Sequence, residues 1–239
     1  MKQILLFLIL IFSFSTLSAQ GILSQTGGKV YIGITAGPSF PVGDFGDNNP
    51  KSDKSGYATT GYKVEINGGI RLFNLLEFSV MGFRNTNGTD PENLKNYLSA
   101  QFPSANVKSD DWVIYGALGG LGISYPLPDK LITDIRVLGG YLNVTSPEIS
   151  LTTARPDVFY KIESKTVSSL VYLTSFGIRY PVLPKLYALI AFEYIGAPVK
   201  FNDVKTIKSS ESGQTEAITS FEQSLDTWTI TAGVKLFIL

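Results

Sequence analysis

The chain has no cysteine and no histidine among its 239 residues, and its 20 Lys+Arg balance 20 Asp+Glu. Without Cys there is no disulfide framework, no thiolate metal site, no Cys nucleophile and no lipid-modified cysteine. Without His there is no Ser-His-Asp triad, no imidazole zinc site and no ordinary general base near neutral pH. Zero net charge argues against nucleic acid, whose binders carry a basic excess. Charge is also scarce overall, at 17% against about 25% in soluble domains. Apolar residues at 44%, aromatics at 12% and 23 glycines exclude a disordered chain.

Long hydrophobic runs are missing too, apart from the start. Met1-Lys2-Gln3 is a short basic opening, and Ile4 to Phe12 is an unbroken apolar run. Leu17-Ser18-Ala19 then places small residues before Gln20. This order is that of a secretory signal peptide. The run is too short for the ~20 residues of a membrane-spanning helix. We expect residues 1–19 to be a signal peptide and residues 20–239 to be one exported domain. That domain has no apolar stretch of helical-span length, so it is either soluble or a membrane β-barrel.

What is present is alternation. In Lys63 to Leu72, one face carries Val64, Ile66, Gly68, Ile70 and Leu72. The other carries Lys63, Glu65, Asn67, Gly69 and Arg71. Period two of this kind is a strand and cannot be a helix. Eight such strands are predicted: Lys29–Gly37, Tyr57–Leu72, Leu76–Arg84, Trp112–Tyr125, Leu131–Asn143, Val167–Tyr180, Leu186–Gly196 and a last one ending the chain. In the last, Trp228, Ile230, Ala232, Val234, Leu236 and Ile238 oppose Thr227, Thr229, Thr231, Gly233, Lys235 and Phe237.

The connections alternate between short and long. Phe73–Leu75, Pro126–Lys130 and Pro181–Lys185 are short; Pro38–Gly56, Asn85–Asp111, Val144–Thr166 and Ala197–Asp226 are long. Neighbouring strands that pair therefore gather all long loops at one end. The predicted fold is all-β: an eight-stranded antiparallel up-and-down transmembrane β-barrel.

Alternation alone does not say which face is outside, so other signals decide. The polar faces are rich in Gly, Ser and Thr rather than in charge. Tyr125 and Tyr180 lie toward the short turns; Tyr62, Tyr141, Tyr194 and Trp228 lie toward the long loops, as two aromatic girdles would. The charges on the polar faces nearly balance: Lys63, Arg71, Arg136, Arg179 and Lys235 against Glu65, Glu77, Asp134 and Glu193. We expect these nine to form a paired polar network that plugs the interior. The competing reading is an exported soluble barrel, lipocalin-like, carrying an apolar ligand inside.

The final residues carry a more specific signal. Thr231-Ala232-Gly233-Val234-Lys235-Leu236-Phe237-Ile238 resembles the C-terminal assembly signal of outer-membrane proteins: polar, any, Gly, any, any, apolar, any, apolar. The resemblance implies recognition by barrel-assembly machinery through Thr231, Gly233, Leu236 and Ile238. The usual form ends in an aromatic, whereas this chain ends in Leu239. The opening strand followed by Pro41-Val42-Gly43-Asp44-Phe45, with Leu17-Ser18-Ala19-Gln20, is similar to small outer-membrane β-barrel proteins of the Bacteroidetes type. That implies a porin-superfamily-like barrel in a bacterial outer membrane, and little about activity.

Candidate sites are few. Asp110-Asp111 is a carboxylate pair, but adjacent strand residues point to opposite faces and share no site. Asp44, Asp47, Asn48 and Asn49 lack the spacing and closing Glu of a calcium loop. Gly116, Gly119, Gly120 and Gly122 lack the Lys-Ser/Thr of a phosphate loop and read as close packing. Asn87-Gly88-Thr89 and Asn143-Val144-Thr145 match a glycan acceptor, a weak signal here. Residues 91–98 suit a short helical turn capping the mouth.

No catalytic, cofactor or metal residue is expected. The expected partners are outer-membrane lipid, the assembly machinery during biogenesis and an unknown binder of the long loops, with the barrel a monomer. Adhesion, partner binding or envelope integrity would be the work of those loops. A secretion-system accessory role, a pore and an envelope enzyme are the alternatives.

Overall fold

The computed structural model describes residues 30–49, 52, 54–72, 75–93, 95, 106–152, 159–210 and 213–238. The signal-peptide reading of residues 1–19, the start of the exported domain and most of residues 91–98 lie outside these; residues 91–93 and 95 are helical.

Among the described residues, eleven strands form one sheet. They are β1 (Val30–Val42), β2 (Ala58–Arg71), β3 (Leu76–Thr89), β4 (Asn106–Ser109), β5 (Trp112–Pro126), β6 (Ile132–Thr145), β7 (Ile149–Thr152), β8 (Phe159–Ile162), β9 (Thr166–Pro181), β10 (Leu186–Ser210) and β11 (Gly213–Phe237). One helical turn, α1 (Gly43–Gly46), follows β1. Eight strands close a ring in the order β11, β1, β2, β3, β5, β6, β9, β10, with β10 pairing back to β11. Each ring pairing is antiparallel, from Tyr31 opposite Phe237 to Leu186 opposite Leu236. A closed ring leaves no ladder edge within its wall, which hydrocarbon requires.

The burial pattern settles which face is out. Val64, Ile135, Phe192 and Ile230 are 40%, 51%, 45% and 47% exposed, whereas Lys63, Arg136 and Glu193 are 0%, 3% and 0% exposed. A soluble barrel would show the reverse, so the lipocalin-like alternative is excluded. The exposed face is an apolar belt. Tyr125 and Tyr180 lie on it near the short turns, and Tyr62, Tyr115, Tyr141, Tyr172 and Trp228 nearer the long connections. Aromatics at both rims match the two headgroup levels of a bilayer.

The ring is narrow. A Cβ added at Gly120 would lie 2.2 Å from the Val137 carbonyl oxygen, and one at Gly37 1.9 Å from that of Ile230. These inward positions admit only hydrogen. Gly82, on the lipid face, has nothing within 4 Å of an added Cβ. Alternation continues through both kinds of glycine, because the backbone rather than the side chain carries the ladder.

The long connections differ from the expectation of loops. Residues 197–210 and 213–226, expected as parts of a loop, are instead the outer halves of β10 and β11, paired from Ala197 opposite Leu225 to Ser210 opposite Gly213. Thr206, Ile207, Thr215, Ile218 and Thr219 are good strand formers, but they sit among Lys, Glu and Ser, which hid the strand pattern. The second and third long connections contribute β4, β7 and β8, which add to the outer part of β10 as β10–β8–β7–β4.

Candidate functional site

The interior is built in layers, each from residues that alternate inward on neighbouring strands. At the short-turn end, Tyr31, Ile132, Tyr187 and Phe237 form a buried cluster. The Phe237 ring lies 5.6 Å from Tyr31 and 5.2 Å from Tyr187, centroid to centroid. Arg179 stacks over both Tyr187 and Phe237, at 5.5 and 5.1 Å. Arg71 lies over the same Phe237 ring at 5.6 Å, and Lys235 over Tyr31 at 3.9 Å. Cations over ring faces lose less on leaving water, because the ring quadrupole replaces part of their hydration.

Above this floor lies a first ionic layer. Lys235 Nζ is 3.3 Å from Asp134 and 3.9 Å from Glu77, and Arg179 is 3.4 Å from Asp134. Neutral side chains complete it: Tyr31 donates to Glu77 at 3.1 Å, and Ser124 Oγ is 2.7 Å from Asp134 and 3.2 Å from Glu77.

A second ionic layer follows. Lys63 bridges Glu65, at 2.7 Å, and Glu193. Arg136 is 3.0 Å from Glu193 and 3.9 Å from Glu65. Asn67 donates to Glu65 at 3.1 Å, Arg136 to Ser175 at 3.2 Å and Thr229 to Glu193 at 3.4 Å. The structure thus brings eight of the nine charges named from sequence into two adjacent clusters and places the ninth, Arg71, over the aromatic floor. Eight are buried and Arg71 is half-buried. Sequence reasoning missed the neutral partners, Tyr31, Ser79, Ser124, Ser175 and Thr229. They share the inward parity of the charges, which was the available signal.

Further out the interior departs from the expected polar filling. Met81, Phe83, Leu118, Leu138, Leu173 and Ile195 make an apolar layer above the ions. The mouth is closed by an aromatic chain. Phe45 of α1 packs edge-on against Trp112 at 5.4 Å, Trp112 lies 5.9 Å from Phe201, and Phe201 stacks on Phe221 at 4.7 Å. The Trp112 indole N–H donates to the Gly56 carbonyl at 3.1 Å, tying the first long connection across the mouth. The polar plug is therefore one part of a thicker seal. The physical reason is local: β5, β6, β9 and β10 turn inward-facing Leu, Ile and Val above the ionic layers, positions that simple alternation assigned to the polar side.

The other sites take plain structural places. Asp110 and Asp111 connect β4 to β5, and the Asp110 amide donates to the Glu148 carbonyl at 3.0 Å. The Asp47 carboxylate accepts from the Asn49 amide at 3.1 Å and from Ser55 at 2.9 Å, closing a polar turn. Gly116, Gly120 and Gly122 face inward against the neighbouring strands. Asn87 is fully buried and bonded to Ser39 and Thr59, so it offers no acceptor for a glycan. Thr231 and Gly233 face inward, Leu236 and Ile238 outward, and the Ile238 amide donates to the Val30 carbonyl at 2.8 Å.

Beyond the mouth stands the second feature, a five-stranded sheet of β11, β10, β8, β7 and β4. One face continues the barrel core through Val204, Ile162 and Phe221. It holds a groove of about 370 Å³ lined by Tyr160, Ile162, Val204, Thr206, Thr219 and Phe221, among others. The opposite face carries ion pairs, Lys205–Glu216 at 3.0 Å and Lys200–Glu222 at 3.2 Å, with Lys161–Glu148 at 2.9 Å nearby. Hydrogen bonds to Glu148 and Glu216 hold the Lys161 and Lys205 amines above their ordinary range.

No family model matches the chain, and no curated protein matches it. Several solved structures are similar to it. Neisserial surface protein A is 16% identical with a TM-score of 0.47, over 89% of this chain and 99% of that one. Ail, the attachment invasion locus protein of Yersinia pestis, is 13% identical with a TM-score of 0.41, over 88% and 100%. A major outer membrane protein from Thermus thermophilus is 12% identical with a TM-score of 0.48, over 87% and 98%. The fold is that of an eight-stranded outer-membrane barrel. The closed register, the exposed apolar belt and the buried ionic layers carry that conclusion. Such closed barrels with an apolar band are the β architecture of the bacterial outer membrane.

Proposed function

We propose that this chain is a non-conducting outer-membrane barrel that serves as a rigid mount for its extracellular sheet, which binds a macromolecular partner. The supporting observation is the contrast between the two ends of β10 and β11. Inside the bilayer they wall a lumen filled by aromatic, ionic and apolar layers. Outside it residues 199–210 and 213–224 continue as a paired ladder and recruit three more strands. A chain that only filled the membrane would need no such extension. Adhesion or partner binding is the reading this favours over transport. The similarity of the opening strand and processing region to the Bacteroidetes type fits an exported barrel of this kind.

The test has two parts. Purified protein in planar lipid bilayers should give no conductance steps above leak; steps of porin size would refute the sealed lumen. In intact cells, Lys200, Lys205 and Lys208 should react with a membrane-impermeant amine reagent. Protection of all three would place the sheet on the wrong side of the membrane and sink the proposal. Replacing residues 203–222 by a short turn should abolish surface attachment while the barrel still folds.

A further inference from the structure

The outer half of β11 is paired on one side only. From Asp226 to Phe237 its two flanks are occupied by β10 and β1. From Gly213 to Leu225 it pairs with β10 alone among the described residues. Residues 213–220 are all exposed. From Gln214 to Ser220 no strand lies beside this edge among the described residues, a run of about 23 Å at about 3.3 Å per residue.

The direction of its backbone groups can be read from β10. The Lys205 carbonyl accepts from the Glu163 amide, so Lys205 turns its backbone toward β8. Lys205 lies opposite Ile218, and that pair is therefore non-hydrogen-bonded. The N–H and C=O of Ile218 point away from β10, to the open side. By period two, Gln214, Glu216 and Ser220 do the same.

Natural sheets protect such an edge with lysine, proline, a bulge or a cover. Residues 213–222 contain neither lysine nor proline. The bulge in this hairpin is on β10, between Phe201 and Val204. The two glutamates of the segment already pair with Lys205 and Lys200. Among the described residues the edge is open, and its charges are paired.

We infer that the outer edge of β11, residues 214–222, accepts an extended polypeptide segment as an added strand. The inference rests on the reading of the extracellular sheet as the binding part and names the partner class. The occupant follows from the edge itself. A row of alternating N–H and C=O groups at strand spacing is matched by another peptide backbone and not by a sugar or a lipid tail. A second copy in the same membrane does not fit. Its β11 runs in the same sense along the membrane normal and presents the same edge, and a two-fold axis along that normal builds no antiparallel ladder.

The experiment uses the full chain in lipid nanodiscs and a displayed library of random peptides of about twelve residues. The tightest peptide is resynthesised with N-methyl groups on one alternate set of residues or on the other. Strand addition predicts a loss of at least about tenfold for one set and little for the other, since only one set faces the edge. Ile218→Pro should cause a similar loss, because it removes an outward N–H without breaking a bond to β10. Ile218→Ser, which keeps the N–H, should bind as the parent does. Hydrogen exchange should slow at Gln214, Glu216, Ile218 and Ser220 when peptide is bound. Peptides that bind but ignore both N-methylation and Ile218→Pro would overturn the edge inference and leave sheet binding standing. If no peptide binds above background, the edge inference falls, while cell attachment lost on replacing residues 203–222 would keep the broader reading.

Discussion

Glu193 is the residue whose loss should tell most about the barrel. Its carboxylate takes Lys63 and Arg136, at 3.0 Å for the latter, and accepts from Thr229 at 3.4 Å. With Glu65 the layer is neutral, two cations against two anions, and none is more than 3% exposed. Glu193→Gln keeps the shape but leaves Lys63 and Arg136 sharing Glu65, with Arg136 keeping its hydrogen bond to Ser175 and a single 3.9 Å contact to a carboxylate. Removing one partner of a buried pair costs about 3–5 kcal/mol. The amide still accepts a hydrogen bond, which puts the expected loss near the lower bound, about 3 kcal/mol. That is roughly a hundredfold in the folding equilibrium.

The compensated variant Lys63→Met with Glu193→Gln leaves Glu65 and Arg136 balanced, so it should lose about 1 kcal/mol or less. Lys63→Met alone leaves Glu65 and Glu193 to Arg136 and should also lose about 3 kcal/mol, so the cycle would give a coupling of about 5 kcal/mol in magnitude. Urea titration in lipid vesicles, followed by the heat-modifiable gel band and tryptophan emission, measures each variant. If Glu193→Gln lies within about 0.5 kcal/mol of the parent and the double variant is additive, the charges are solvated in an open lumen and the sealed-interior argument fails.

Other outcomes follow from the same geometry. Gly120→Ala drives a methyl to 2.2 Å from a backbone carbonyl and should block barrel closure, whereas Gly82→Ala, with open space, should fold as the parent does; the folded gel band distinguishes them. Val137→Lys places an amine midway between the aromatic rims and should destabilise the barrel by about 2–4 kcal/mol in vesicles; a neutral result would mean that this face does not meet lipid. The raised Lys161 amine implies that its bridge to Glu148 persists through neutral pH and is lost as pH rises through its elevated value. Amide protection factors, taken against the base-catalysed intrinsic rate, should therefore fall in β7 and β8 at strongly alkaline pH and respond to salt, while those in β2 should not.

The ring strands were legible because each membrane-facing residue must be apolar and each neighbour need not be. Lys63 to Leu72 shows this without any structure, as do Trp228 to Ile238. The interior charges were legible for the same reason, since a charge on that parity has no other place to go. The outer halves of β10 and β11 were not. Both of their faces meet water or a shallow core, so Lys205, Glu216 and Ile218 follow no hydrophobic rule. Phe45 was equally hidden, because one aromatic in a polar turn has no period.

The sequence by itself determined the period, the number of ring strands and the set of inward charges, all of which are local properties of residue order. Tertiary structure alone decided which charge meets which, since Lys63 and Glu193 lie on β2 and β10, far apart in the chain. It also decided that Phe45, Trp112 and Phe201 pack together at the mouth, and that among the described residues the outer length of β11 pairs with β10 alone. Those are outcomes of closure: β1 and β10 both pair with β11 within the ring, and only β10 continues beside it beyond.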